Sequence, residues 1–138
     1  MNADPENIRV VHQWIEMAEE DLTNAEYTLT MPKGCPLGTV CFHAQQCAEK
    51  YLKGLLTLHN VPFPKTHDLL DLLQRIPHDV QLGLQPDDLT LLNRYSVEVR
   101  YPGHWEPITR KEAQDAVAKA KKVRETVNGI LPRQILEK

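Results

Sequence analysis

No stretch of the 138-residue chain approaches the roughly 18 consecutive apolar residues of a membrane-spanning helix. The opening MNADPENIRV lacks the basic-then-apolar order of a secretion signal, so a cytoplasmic protein without membrane contact is expected. A basic excess is missing as well: 16 Lys and Arg stand against 19 Asp and Glu, for a net charge of −3 and a pI near 6.1. Without a global positive field, nonspecific binding of DNA or of anionic lipid is not implied, and any anion site must be local. Cysteine is sparse. Cys35, Cys41 and Cys47 are odd in number and lack C-x2-C spacing, so they are expected as free thiols. The six histidines form no H-E-x-x-H, and neither a metal site nor a cofactor is expected. Period-two alternation, internal repeats and low-complexity tracts are also absent, which leaves no strand to build a sheet.

What the sequence does contain is helical periodicity. Apolar residues make up 41% of the chain and charged residues 25%, as expected for one globular domain spanning residues 1–138. From Thr39 to Leu58 the residues Cys41, Ala44, Ala48, Tyr51, Leu55 and Leu58, with Leu37 just before, recur at steps of three and four, the stripe that a helix turns to a core. A second row on the same helix, His43, Gln46, Lys50 and Lys53, predicts an exposed line of imidazole, amide and ammonium groups able to hold an anion. Between the two runs Phe42, Gln45, Glu49, Leu52 and Leu56. The carboxylate of Glu49 among apolar neighbours demands a cationic partner, for which Arg94 and Arg100 are the candidates.

Around this helix the other elements follow from their punctuation. Asp4-Pro5 starts a first helix that runs to about Thr30 with Ile8, Val11, Ile15, Ala18, Leu22, Ala25 and Leu29 inward, and Trp14 lies at its core edge. MPKGCPLG is a connector. HNVPFPKTH is another, with Thr66 expected to cap a short third helix built on Leu69, Leu70, Leu72, Leu73 and Ile76. Pro86-Asp87-Asp88 opens a fourth helix with Leu89, Leu92, Tyr95 and Val99 inward, expected to end near Arg100 because Pro102 cannot continue it. Thr109-x-x-Glu112 reads as a capping box before a fifth helix, with Ala113, Ala116, Ala120, Val123, Val127 and Ile130 as its stripe and its lysines and arginines as a solvated face. The fold class expected is all-α, an up-and-down helical bundle of four to five helices.

CFHAQQCAEKYLKGLL and RYSVEVRYPG, taken with WIEMAEEDLTNAE, KTHDLLDLL and TRKEAQDAVAKA in the same order, resemble the HEPN domain family, the higher-eukaryote and prokaryote nucleotide-binding domains. The resemblance covers nearly the whole chain. It implies a helical bundle that forms homodimers and handles nucleotide or RNA, often beside a small nucleotidyltransferase as its partner in a two-gene, toxin-antitoxin-like pair. Family members that cleave RNA carry an arginine and a histidine with four to six residues between them at the end of the fourth helix. Here Arg100 and His104 have three residues between them and Arg94 and His104 have nine, a departure from that pattern, and the RYPG corner instead resembles the nucleotide-binding branch. The expected site is therefore His43, Gln46, Lys50 and Lys53 closed by Arg94 or Arg100. A metal-independent endoribonuclease using Arg100 and His104, and a non-catalytic dimerisation module, are the alternatives. Six residues place Arg94 and Arg100 about 120° apart on a straight helix, so one is expected to serve Glu49 and the other the ligand.

Overall fold

The computed structural model describes residues 4–96 and 107–136, and its described elements are all helical: α1 (Pro5–Leu29), α2 (Leu37–Leu58), α3 (Leu69–Arg75), α4 (Pro86–Asn93), α5 (Arg110–Asn128) and the single turn α6 (Arg133–Leu136). Arg100 and His104, with Val99 and the Tyr101-Pro102-Gly103 corner, lie outside the described residues. Of the four to five helices expected, five are present among the described residues, and α6 adds one turn after Pro132.

The bundle is organised on α2. Its most extensive pairing is the antiparallel one with α1, followed by α5, while α3 and α4 cover its remaining side. Every residue from Tyr51 to Leu56 is buried, because a helix enclosed on three sides has no solvent face left in that half. The core stripes fall where periodicity puts them, except that Ile130, expected on the stripe of the fifth helix, lies beyond the end of α5 at Asn128 and is exposed. Val11, Ala18, Leu22 and Ala25 of α1 meet Cys41, Ala44, Ala48, Tyr51 and Leu55 of α2, and Ala113, Ala116, Ala120, Val123 and Val127 close the third side. Small residues on α5 and at Gly54 set how near the helices come. A Cβ on Gly54 would lie 3.2 Å from the Trp14 Cβ, tighter than ordinary packing.

The helix ends have identifiable causes. Asp4 caps α1 by accepting the Glu6 N–H at 2.9 Å, and Arg110 donates to the carbonyls of Leu29 and Met31 at its other end. At the end of α2, Asn60 takes a positive φ of 58°, a conformation that asparagine tolerates, and the Asn7 amide donates to its side chain. The cap of α3 differs from expectation. Asp68 accepts from Leu70 and Asp71 N–H, while Thr66 accepts only from Asp68 N–H, since α3 begins at Leu69, one residue beyond Asp68. At α5 the Thr109 hydroxyl accepts from Glu112 N–H at 3.0 Å, but the Glu112 carboxylate accepts the Tyr95 hydroxyl, so Glu112 ties α5 to the end of α4. The fourth helix stops earlier than expected, at Asn93, with Arg94 as its cap.

The charged face of α5 is likewise not simply solvated. Arg124 Nε donates to Glu19 at 2.9 Å, Lys122 Nζ to Asp88 at 2.6 Å, and Lys121 stands 3.3 Å from Glu26. Each of these spans two helices, because α5 packs on both α1 and α4.

Candidate functional site

The row His43, Gln46, Lys50 and Lys53 is kept as a row but is not an exposed one. Lys53 is buried, with 7% of its surface accessible, and its ammonium lies 3.0 Å from Glu49 Oε2. The rings of Trp14 and Phe63 stand 5.7 and 5.8 Å from the same nitrogen, so its charge is met by a carboxylate and two aromatic faces. Lys53 is thus a structural cation of the core edge. α1 and the 59–68 connector close over the turn where an exposed lysine was expected.

Glu49 is buried, as its place between Phe42 and Leu52 required, but its partners differ from those expected. Lys53 and His67 Nδ1, the latter at 2.9 Å, hold the carboxylate, and Gln45 and Gln46 add amide donors at 3.2 and 3.4 Å. Arg94 does not serve it. The reason is local: i to i+4 spacing already presents Lys53 from the same helix, and the connector brings His67 back, its carbonyl fixed by Gln45 Nε2 at 3.0 Å.

The other half of the row meets a residue that periodicity alone did not single out. Asp21 of α1, 8% accessible, accepts from Lys50 Nζ at 2.5 Å on Oδ2 and lies 2.8 Å from His43 Nδ1 through Oδ1. Its signal was present in the sequence. Asp21 stands three residues after Ala18 and four before Ala25, hence on the buried side of α1, where an acid calls for a partner as Glu49 does. The ammonium groups of Lys50 and Lys53 are therefore matched by the Asp21 and Glu49 carboxylates.

A third polar knot joins the three long helices. The Tyr51 hydroxyl donates to Glu19, which also takes Arg124, and burial together with that carboxylate raises the Tyr51 phenol well above its usual range. Cys47 nearby is raised in the same way, first by burial and then by the Glu19 and Asp21 carboxylates, so it remains a thiol; all three cysteines are free. Among the described residues no group of three potential ligands could hold a metal ion.

The other basic candidate among the described residues is Arg94, which caps the end of α4. Arg94 is exposed, and no described carboxylate pairs with it. Its neighbour Asn93 fixes where that end sits, accepting Leu69 N–H at 2.8 Å and donating to Asp68 at 3.0 Å. The C-terminal end of α4 is thus stitched to the residues just after His67, whose side chain is 60% exposed. The segment that carries Arg100 and His104 starts from this point and returns at Ile108, which lies beside Gly38 at the start of α2. The structure therefore ties the end of α4, through Asn93, to the start of α3, and Arg100 and His104 lie outside the described residues.

The HEPN domain family model matches residues 11–130. A candidate toxin of Methanocaldococcus jannaschii, MJ1304, is 27% identical over 142 residues, covering 91% of this chain and 90% of that protein. Among solved structures, TT1696 from Thermus thermophilus superposes with a TM-score of 0.72 at 32% identity, covering 88% of this chain and 98% of that one. ST0689, an archaeal HEPN homologue, superposes at 0.65 with 28% identity, covering 86% and 95%.

Proposed function

The chain belongs to the HEPN domain family, and on that premise we propose that it is a toxin-like HEPN module. It binds the phosphates of a nucleotide or RNA at the end of α4 and works as a homodimer in the cytoplasm beside a small nucleotidyltransferase in a toxin-antitoxin-like pair. The observation that carries the phosphate site is the contrast in charge. The lysines of the α2 row are held by buried carboxylates, whereas Arg94 is exposed at the end of α4, six residues before Arg100. Guanidinium groups suit phosphate oxygens because they donate two parallel hydrogen bonds. A few solvent-exposed contacts of this kind give affinities nearer micromolar than nanomolar and strong salt dependence.

Calorimetric titration with ATP and with a short single-stranded RNA tests the site. R94A/R100A is expected to weaken binding at least tenfold while H43A leaves it within a factor of about three. Equal binding by wild type and R94A/R100A would overturn the placement, and no binding by the wild type would leave the dimerisation module as the better reading.

A ribonuclease reading draws on the near full-length match to a candidate toxin. It requires growth arrest on expression that is lost in R100A and in H104A.

A further inference from the structure

We infer that Asn93 is a positioning residue of the phosphate site: with Tyr95 on the other side, it clamps the backbone of Arg94 so that the guanidinium meets the ligand from a fixed base. The inference deepens the phosphate-site reading and rests on it. α4 has only eight residues, and a helix shorter than about 12 is marginal unless something outside it holds its ends. Arg94 caps that helix with its side chain exposed, so no core packing of its own fixes it. Its two neighbours are fixed instead, each by a different element.

Asn93 uses both ends of its amide. Its Oδ1 accepts Leu69 N–H at 2.8 Å, one of the first N–H groups of α3 and therefore without an acceptor in its own helix. Its Nδ2 donates at 3.0 Å to Asp68 Oδ1, the same oxygen that caps α3 by accepting Leu70 N–H. On the other side of Arg94, the Tyr95 ring is buried and its hydroxyl donates to Glu112 in the first turn of α5. The backbone of Arg94 is thus held between α3 and α5 while its side chain stays in solvent. A guanidinium carried on such a base loses less conformational freedom when it takes up an anion than one on a fraying helix end, and the difference appears as affinity.

A role in folding alone would weaken binding only by unfolding part of the population, which leaves the number of phosphate contacts in the folded molecules unchanged. A positioning role removes a contact, and salt dependence reads it: each phosphate contact to a single strand contributes about 0.7 to the slope of log affinity against log salt. The experiment is a titration of the full chain with a short single-stranded RNA by fluorescence anisotropy at several salt concentrations, with circular dichroism giving the folded fraction. N93D faces Asp68 with a second carboxylate and removes the donor. It is expected to weaken binding about three- to tenfold and to lower the slope to that of R94A. D68N/N93D exchanges donor and acceptor across the same bond, and asparagine caps a helix as well as aspartate does, so this variant should restore both affinity and slope. If N93D keeps the wild-type slope, or if folded D68N/N93D binds no better than N93D, Asn93 serves the fold alone and the inference is overturned with the phosphate site intact. If wild type and R94A bind alike, or neither binds, the phosphate-site reading itself falls and the inference falls with it.

Discussion

At the scale of single residues, the sequence reveals which positions are costly but not what settles the cost. Glu49 was legible as a buried acid because it falls between Phe42 and Leu52 on α2. Its partner was not legible, since His67 arrives through a connector whose path is set by Gln45 and by the cap at Asp68. Lys53 was misread for a related reason. Helical spacing says which side chains share a face, and the aromatic rings of Trp14 and Phe63 that cover that face come from α1 and from the connector. The arrangement has a measurable consequence. E49A leaves the Lys53 ammonium buried without a carboxylate and is expected to destabilise by about 3 kcal/mol or more. Replacing both members together, E49L/K53M, should recover at least half of that loss, because two apolar side chains need no desolvated charge to be compensated. Urea unfolding of wild type, single and double variants measures this. A single-variant loss within about 0.5 kcal/mol, the range of surface substitutions, would show that the pair is solvent-exposed in solution.

At the scale of elements, helix positions and inward stripes were readable, because the three-four rhythm and the Pro and Asp start signals are local properties. The stripes of α1, α2 and α5 are the core that the structure shows. What locality hides is how closely two elements approach. Gly54 looks like an interruption in a good helix, but it sits against Trp14 and Ile15 of α1 with no room for a Cβ at ordinary contact distance. G54V is therefore expected to destabilise by about 1–3 kcal/mol through overpacking, measured by thermal or urea unfolding. A second consequence concerns the joint between α4 and α5. Hydrogen bonding from Lys122, and then from Gln85 N–H, holds the Asp88 carboxyl below its ordinary value of 3.8. A carboxyl whose pKa is lowered on folding contributes stability that is complete above that ordinary value and fades as pH falls below it. Between pH 4 and pH 2 the melting temperature of the wild type should consequently fall more steeply than that of D88N, which has no such charge to lose. Parallel slopes would show that Asp88 is not engaged in solution.

For the whole molecule, the polar residues of the row divide into those that hold the bundle together and those that are available to a ligand, and sequence alone does not draw that line. Lys50 and Arg94 look equivalent as basic residues on helices. The fold makes them opposite: Lys50 is bound to a nearly buried Asp21 that joins α1 to α2, and Arg94 caps α4 in solvent with no described carboxylate on it. K50A leaves Asp21 with His43 beside it in place of a permanent cation and is expected to cost about 1–3 kcal/mol, the penalty for stranding a buried polar group. R94A removes an exposed side chain and should stay within about 0.5 kcal/mol. Ligand binding should respond in the reverse order, with R94A weakening the titration with ATP or RNA and K50A changing it little at temperatures where that variant remains folded. Measuring unfolding and binding on the same two variants separates the roles. If K50A abolishes binding while its stability is unchanged, the lysine row is the phosphate site after all and the ion pair to Asp21 opens to admit the ligand.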